Sequence, residues 1–425
     1  MLLAALLLSV AADTIVITDV GVIPMDRPTP TVLEHQTLVV ADGRILAMGP
    51  ATSVFGPRGA RVIDGRGKFV IPGLADMHVH LTTVEELPMY VGNGVLTVRD
   101  LNGSSETLAW RRSIEAGMMV GPRLFVSGPM IAGPEIPWRN KVVPETPAAA
   151  DSIVRAQKAE GYDQIKIYDG ISKPVFNAAV AAAKRVGMLS SGHIPATVGF
   201  DGVLASGMNG LEHLDKTVYA VTQHDLDTLL IPSIVTRIKS SSVWVTPTLE
   251  SMMQLSKIAT GRFDSLMSRP EALASPAGLH EYWTTISIRL RGNRTLPPDA
   301  KCNPWCEYQL RLANALSKSG VPLLAGTDVP NAVLVPGYSL LRELALFVEI
   351  GLTPYEALLT ATINPARFFG QERDWGSVAV GRRANLVVLE QNPLGNLEVL
   401  GRPFAVVLDG KLIDAAQLAR MRREQ

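Results

Sequence analysis

Two histidines one residue apart, His78 and His80, follow an apolar stretch in the sequence "KFVIPGLADMHVHL". Side chains at positions i and i+2 of a β-strand lie on the same face, so both imidazole rings can project together from the end of one strand. Imidazole is a common ligand for metal ions in proteins. A single histidine at a strand end is more often a hydrogen-bonded structural residue, so the pair alone leaves both interpretations open.

Further polar residues end other short apolar runs. His193 closes "LSSGH", His213 closes "GLEH" and Asp328 closes "LLAGTD". Imidazole together with carboxylate suits Zn²⁺ or a similar first-row divalent cation. Because four of the seven histidines share this placement, the joint pattern predicts a metal site. The other histidines are expected on turns or helices at the surface: His35, His224 and His280.

Lys166 is a lysine in the middle of an apolar strand, "QIKIYDG", with Tyr168 on the same face. Burial and nearby positive charge both favour the neutral amine, which can take up carbon dioxide and form a carbamate that bridges two metal ions. The competing interpretation is a lysine paired with a buried acid, such as Asp76 or Asp100. The spacing leaves these two interpretations open.

Strand-like runs alternate with helix-like, alanine-rich segments through the middle of the chain, which predicts a parallel sheet. The eight runs are "GLADMHVHL", "GVLTVRDL", "PRLFVSGP", "QIKIYDG", "LSSGHIP", "GLEHLD", "VWVTPTL" and "VPLLAGTD". Eight units of this size favour a (β/α)8 barrel over residues 72–373. A doubly wound open sheet is the alternative, but no Gly-rich phosphate fingerprint follows the first strand. The candidate ligands would then lie at the carboxyl ends of the strands, where barrel enzymes have their active sites.

Both ends of the chain differ from the middle. Residues 13–71 and 374–425 contain short runs of apolar residues separated by turns such as Asp42-Gly43 and Asp409-Gly410. They predict a small β-sandwich formed by both termini, so that the fold class is α/β with an added β-domain. The segment from about Lys257 to Pro304 has no strand pattern and is expected to form helices and loops between the seventh and eighth strands, a position from which it could cover the site.

The composition excludes several classes of function. Among 425 residues, 40 basic and 40 acidic side chains balance, so broad electrostatic binding to nucleic acid or to an anionic membrane is not expected.

The apolar start of the chain, residues 1–12, resembles a secretory signal peptide that would direct the protein to the periplasm or outside the cell. No basic residue precedes this run, so a buried strand in a cytoplasmic protein is the alternative. No apolar stretch is long enough for an integral membrane segment.

Cys302 and Cys306 could form a local disulfide or remain thiols, and neither is given a catalytic role.

The ordered set of these residues resembles the amidohydrolase superfamily, in particular its imidazolonepropionase-like and Xaa-Pro-dipeptidase-like branch. The resemblance covers nearly the whole chain. It rests on "VIDGRGKFVIPGLADMHVHL", "GVLTVRDL", "QIKIYDG", the "GH" and "EH" pairs, "AGTD", "GLTPYEALLTATINPARFFG" and "GSVAVGRRANLVVLEQNPL".

The resemblance implies a hydrolase with two Zn²⁺ ions. His78, His80 and Asp328 would hold one ion, His193 and His213 the other, and Lys166, carboxylated on its Nζ, would bridge them together with a hydroxide. Asp328 would orient this hydroxide and carry its proton to the leaving amine. Tyr168 is the candidate hydrogen-bond donor to the tetrahedral oxyanion, with a core aromatic residue as the alternative.

The implied reaction is cleavage of an amide C–N bond in a small molecule, with dipeptides or N-acyl amino acids favoured. Cyclic amides, and lactones or esters, are the alternatives. Many relatives carry a Gly-Gly-His segment after the third strand, whereas this chain reads "MIAGPEIPWRNKVV" there. Glu135, Trp138 or Arg139 could replace the missing contact, so dipeptide specificity stays open. The sequence also leaves room for a homo-oligomer.

Overall fold

The structure is a computed structural model, and it describes residues 14–138, 140–223, 225–290 and 301–423. The predicted signal peptide, Arg139 and His224 lie outside the described residues. Two compact units make up the chain. The terminal unit contains the chain up to Leu74, Val91–Leu96 and the chain from Pro354, and the central unit contains Ala75–Tyr90 and Thr97–Thr353. No helix of the described chain is long and apolar enough to cross a membrane.

The β-strands are numbered in chain order. They are β1 (Ile15–Val22), β2 (Leu33–Ala41), β3 (Arg44–Pro50), β4 (Arg61–Asp64), β5 (Phe69–Pro72), β6 (Leu74–Val79), β7 (Val95–Asp100), β8 (Arg123–Val126), β9 (Met130–Ile131), β10 (Lys141–Val142), β11 (Gln164–Ile167), β12 (Leu189–Gly192), β13 (Gly210–Glu212), β14 (Trp244–Thr246), β15 (Leu386–Leu389), β16 (Ala405–Leu408) and β17 (Lys411–Asp414).

The α-helices are numbered in the same way. They are α1 (Glu86–Gly92), α2 (Ser105–Glu115), α3 (Pro147–Glu160), α4 (Lys173–Arg185), α5 (Gly199–Ala205), α6 (Leu214–Thr222), α7 (Ile231–Ser241), α8 (Leu249–Ala259), α9 (Phe263–Met267), α10 (Pro270–Leu273), α11 (Ala277–Leu290), α12 (Pro304–Lys318), α13 (Tyr338–Glu349), α14 (Pro354–Thr360), α15 (Ile363–Phe368) and α16 (Ala415–Met421). Short 3₁₀ helices cover Thr228–Leu230, Asn331–Val333 and Leu397–Gly401.

The terminal unit contains a mixed sheet of eight strands in the order β17-β16-β15-β5-β1-β2-β3, with β4 also paired to β1. Strands from both ends of the chain thus share one sheet, as predicted, and their buried side chains form one apolar core. The strands pair continuously rather than as two separate sheets. Strand β1 connects them, because its first half pairs with β4 and its last residues pair with β5. Between these two halves, Asp19 adopts a left-handed conformation (φ 52°), and the register of β1 against β2 shifts there.

Seven of the eight predicted strands are present in their predicted order: β6, β7, β8, β11, β12, β13 and β14. Together with the short strands β9 and β10 they form one sheet of three strands, β6-β7-β8, and one of six, β10-β9-β11-β12-β13-β14. The eighth predicted run, "VPLLAGTD", forms an isolated bridge in place of a strand. Ser127 forms a parallel bridge to Gln164, which links β8 to β11, and Leu323 forms another to Val245 on β14. The eighth segment also bonds to β6, because the Asp328 N–H donates to the His78 carbonyl at 2.7 Å. The barrel interpretation is thereby confirmed, with a strand ladder that is interrupted where the two sheets meet.

Local signals set the helices between these strands. Thr146 caps the start of α3, where its hydroxyl accepts from the Ala149 N–H at 3.1 Å, and Gly161 ends the helix in the left-handed region (φ 94°). Helices α9–α11 lie within the predicted insertion after β14, with α8 ending at its start, α12 beginning at its end and residues 291–300 outside the described chain. Cys302 and Cys306 form a disulfide at the start of α12, with Cα atoms 5.9 Å apart.

Candidate metal centre

The predicted ligands lie together at the carboxyl ends of the barrel strands. His78 lies on β6 with His80 just beyond its end, while His193 and His213 directly follow β12 and β13. The ring centroids of His78 are 5.2 Å from those of His80 and 4.3 Å from those of His213, which in turn lie 5.1 Å from His193. Asp328 completes the group, since its Oδ1 lies 3.1 Å from Nε2 of His80 and 3.4 Å from Nε2 of His78.

Three of these imidazoles are fixed through Nδ1. An oxygen lies within hydrogen-bonding distance of this atom in each ring: Glu212 Oε2 at 2.8 Å from His78, Asp169 Oδ2 at 3.1 Å from His193, and Thr248 Oγ1 at 2.8 Å from His213. Such partners are typical of metal-binding histidines, because they leave Nε2 as the lone-pair donor. Nε2 of His78 and of His193 is buried and has no hydrogen-bond partner among the described residues. A divalent cation would satisfy both atoms.

The tightest group of donors differs from the partition that the family resemblance implies. Among the described residues, ligand atoms of His78, His213 and Asp328 all lie within 4.8 Å of one another. His213 therefore stands beside Asp328 as well as beside His193. Together with His80 and His193, these three residues form one contiguous group of potential metal ligands, which we call the donor cluster.

Burial makes the imidazoles neutral. It lowers the pKa of His78, His193 and His213 well below the ordinary value, and the positive charge of Lys166 acts in the same direction on all three rings. A neutral imidazole is the form that binds a metal ion, so these rings are available as ligands near neutral pH.

Lys166 is completely buried, and its Nζ has no hydrogen-bond partner among the described residues. Burial lowers the pKa of this amine to about 8. Neither acid of the competing interpretation pairs with it. The carboxylate of Asp76 accepts from the N–H and hydroxyl of Thr327, at 3.0 and 2.7 Å, and the carboxylate of Asp100 accepts from the Asn102 N–H at 3.1 Å. The structure therefore favours an amine that readily loses its proton.

Tyr168 follows β11 directly, and its ring packs at a tilt of 39° against His193 with centroids 4.0 Å apart. Burial raises the pKa of this phenol, and a hydrogen bond from Trp138 only partly offsets that effect. The hydroxyl is thus protonated near neutral pH and can donate a hydrogen bond beside the donor cluster. Trp138 belongs to the segment that stands in place of Gly-Gly-His.

The remaining histidines lie away from this cluster where the structure describes them. His35 is exposed on β2 and pairs with Asp19 at 2.8 Å. His280 is half-buried on α11, and its Nε2 lies 2.7 Å from the Ala272 carbonyl oxygen.

Sequence reasoning missed a buried ion pair behind the histidines. Arg99 on β7 donates to Oε1 of Glu212 at 2.7 Å, while the other carboxylate oxygen of Glu212 contacts His78. Both side chains are completely inaccessible to solvent. The signal was present, since Arg99 interrupts the apolar run "VLTV" and Glu212 directly precedes a candidate ligand.

Backbone strain marks the same site. His213 and Asp328 have positive φ angles of 65° and 68°, and Thr248, the partner of His213, has a φ of 54°. Residues other than glycine adopt this region rarely, and they do so mostly where the surrounding structure holds a functional geometry. Spacing in the sequence carries no information about this strain.

The fold and the donor cluster together define the class of protein: a barrel of parallel strands with a candidate metal site of four histidines and one aspartate at the carboxyl ends of the strands. The chain belongs to the amidohydrolase family, whose model matches residues 69–413.

Individual relatives in this family are distant. An adenine deaminase from Ruegeria pomeroyi is 22% identical over 403 residues, which cover 90% of this chain and 56% of the relative. The chain thus spans about half the length of the adenine deaminases that it matches. An imidazolonepropionase from Symbiobacterium thermophilum is 24% identical over 381 residues and covers 84% of both chains. The crystal structure of a Xaa-Pro dipeptidase with methionine bound in its active site superimposes with a TM-score of 0.71 at 20% identity, covering 94% of this chain and 100% of that one. At that identity the superposition shows the shared fold.

Proposed function

We propose that this protein is a binuclear zinc hydrolase that cleaves an amide C–N bond in dipeptides or N-acyl amino acids. Membership of the amidohydrolase family supports the reaction class. The observation that carries the proposal is a set of buried atoms with lone pairs that have no hydrogen-bond partner among the described residues: Nε2 of His78, Nε2 of His193 and Nζ of Lys166.

We infer that these residues would hold two divalent cations. His78, His80 and Asp328 would hold one ion, and His193 and His213 the other, with Lys166 as a further ligand in its carbamate form. The short distances from Asp328 to His78 and His80 support the first set. Bound Zn²⁺ supplies Lewis acidity, which lowers the pKa of water to about 7 and polarises a carbonyl group.

Asp328 is the group that would move protons. Burial alone would raise the pKa of this carboxyl, but the contact with His80 and the hydrogen bond from Asn331 help to hold it below its ordinary value. The carboxylate is therefore ionised before the reaction and can take a proton from the attacking water. It can then deliver this proton to the nitrogen that leaves, which cannot depart as an anion.

Tyr168 would stabilise the charge that develops on the substrate oxygen. Its hydroxyl is protonated and its ring lies on His193, so its proton can be directed at an oxyanion beside the donor cluster. Fixed donors of this kind act only when charge develops, and they cost no reorganisation at that moment.

Hydrolysis of a cyclic amide is the second candidate. It is supported by the imidazolonepropionase from S. thermophilum, which this chain matches over 84% of either length. The Xaa-Pro dipeptidase is the corresponding support for dipeptides. The same site chemistry would serve both substrates, because each presents a carbonyl group bonded to nitrogen.

The test begins with the purified protein dialysed against a strong chelator and then supplied with Zn²⁺. We expect hydrolysis of some dipeptides or N-acyl amino acids to disappear and return, with two zinc ions per chain measured by mass spectrometry of the metal. His193→Asn should abolish hydrolysis and lower the zinc content, whereas His35→Asn, which removes an exposed imidazole, should change neither. Activity that survives complete metal removal would contradict the metal-dependent mechanism. Turnover confined to cyclic amides in the same library would select the second candidate.

A further inference from the structure

The carboxylate of Asp328 is held from both sides by different groups. Its Oδ1 faces the imidazoles of His78 and His80, whereas its Oδ2 accepts a hydrogen bond from Nδ2 of Asn331 at 2.8 Å. A carboxylate can only accept hydrogen bonds when it is ionised, so the NH₂ end of the Asn331 amide must face it. The second oxygen is thereby occupied, and the first is directed at the donor cluster.

The orientation of the Asn331 amide is itself fixed. Tyr282, on helix α11 of the insertion, donates a hydrogen bond from its hydroxyl to Oδ1 of Asn331 at 3.0 Å. If the amide turned over, its NH₂ group would face the tyrosine and its oxygen would face the carboxylate. Tyr282 thus acts on Asp328 only through Asn331.

The loop that carries Asn331 is strained and is held by the same insertion. Ala332 and Val333 have positive φ angles of 51° and 60°, and a β-branched residue rarely adopts this region. Trp283, the neighbour of Tyr282 on α11, donates to the Pro330 carbonyl at 2.6 Å, and Arg269 donates to the Val333 carbonyl at 2.7 Å.

Apolar packing supports the same loop. Trp283 is buried in a cluster with Leu279 of the same helix and with Ala332, Val333 and Val335 of the loop. Such strain persists only where the surroundings impose it, and it is typical of functional positions. A turn that merely connected Asp328 to α13 would not need two left-handed residues anchored from a separate helix.

We infer that Asn331 and Tyr282 are positioning residues for Asp328, and that helix α11 of the insertion is the element that sets the direction of this carboxylate. The inference rests on the proposed function, since it assigns Asp328 a role as metal ligand and proton carrier. It gives the insertion a part in the chemistry.

The test measures Zn²⁺ binding to metal-free protein by competition with a coloured chelator, so it needs no substrate. Asn331→Ala should weaken apparent Zn²⁺ binding by about 10- to 100-fold, the usual effect of losing a partner that orients a ligand. Tyr282→Phe should weaken it by about 3- to 10-fold, the worth of one hydrogen bond. Tyr308→Phe is the matched control, because it removes a hydroxyl that donates to the Asp227 carbonyl at 3.0 Å from helix α12.

The double variant distinguishes a relay from two separate effects. If Tyr282 acts through Asn331, adding Tyr282→Phe to Asn331→Ala should change Zn²⁺ binding by less than about twofold. Thermal unfolding of each metal-free variant shows whether it is folded, and Tyr282→Phe removes only one oxygen atom in case Asn331→Ala disrupts the loop. Wild-type affinity in both single variants, or full additivity in the double variant, would overturn the inference alone. A wild-type protein that takes up no Zn²⁺ would overturn the proposed function and the inference with it.

Discussion

Oε2 of Glu212 lies 2.8 Å from Nδ1 of His78, and both side chains are completely shielded from solvent. The other oxygen of the same carboxylate accepts from Arg99 at 2.7 Å. The chain of contacts from arginine through glutamate to histidine fixes the ring orientation of His78 and leaves Nε2 as the atom available to a metal ion. The burial of three ionisable groups is costly unless each has its partner, so the arrangement is sensitive to the loss of any one of them.

Glu212→Gln should therefore weaken Zn²⁺ binding by about 10- to 100-fold. The amide has only one acceptor oxygen, so either Arg99 or His78 would face an NH₂ group. The measurement is the apparent Kd for Zn²⁺ in the purified variant, compared with Glu390→Gln, which changes an exposed glutamate. An unaltered affinity in Glu212→Gln would show that this contact does not orient the ligand.

Lys166→Ala should weaken Zn²⁺ binding more than Glu212→Gln does. The loss of a residue that only orients a ligand lowers metal affinity by about 10- to 100-fold, whereas the carbamate proposed here would be a direct ligand to both ions. Acetate or formate should restore part of the bound metal and of the activity, because a small carboxylate can occupy the space that the side chain leaves. Lys184→Ala, an exposed position on α4, serves as the control. Two zinc ions retained by Lys166→Ala without added acid would exclude the bridging role.

The sequence predicted the barrel and the ligand cluster because both depend on periodic signals. Apolar runs that end in His193, His213 or Asp328 place these residues at one end of a parallel sheet, whatever the details of packing. The partners behind them were not predicted, since Arg99 and Glu212 come together only when β7 and β13 are closed into the same barrel. The role of Asn331 was not predicted either, for a related reason. It depends on the left-handed residues of its loop and on a helix about 50 residues earlier in the chain, and neither feature produces a recognisable pattern in the local sequence.

The terminal β-domain was likewise predicted only in part. Turn signals and alternating apolar residues predicted that both ends of the chain form one β-domain, and the structure has strands from both ends in one sheet. A sandwich of two sheets was expected, but β1 changes partner at Asp19 and keeps the strands in a single ladder. A register shift of this kind depends on the backbone angle of one residue, which alternation of residue types does not reveal.

Tyr168→Phe should lower kcat by about 100- to 1000-fold with a small change in KM, if the hydroxyl donates to the oxyanion only in the transition state. Trp138→Phe should have a smaller effect in the same direction, because it removes the side-chain contact that lowers the pKa of this phenol, and a phenol with a higher pKa is a weaker hydrogen-bond donor. Steady-state kinetics on the best amide substrate provide the measurement. Tyr219→Phe, at a residue that is 51% exposed, is the control. A loss confined to KM would instead place Tyr168 in ground-state substrate binding.

Glu86, at the start of α1, is expected to make stability depend on pH. Its Oε1 accepts from the backbone N–H groups of Thr82 and Thr83, at 3.1 and 2.9 Å, and from the Thr82 hydroxyl, while its Oε2 is buried without a partner among the described residues. Burial raises the pKa of this carboxyl from its ordinary 4.5 to about 7. The folded protein therefore binds the proton more tightly than the unfolded chain does.

A raised carboxyl pKa stabilises the fold fully below pH 4.5, and this contribution is lost as the pH rises through about 7. The full shift corresponds to about 3 kcal/mol. Glu86→Gln keeps the oxygen that accepts the three hydrogen bonds and places a neutral NH₂ group where Oε2 was, so it removes the titration with little other change. The free energy of unfolding of the wild type, relative to Glu86→Gln, should fall by most of this amount between pH 5 and 8.5 in urea denaturation. Glu106→Gln, an exposed residue at the start of α2, should show no such difference. A constant gap between wild type and Glu86→Gln would mean that Glu86 is already ionised in the folded protein at the lower pH, held by the three donors around Oε1.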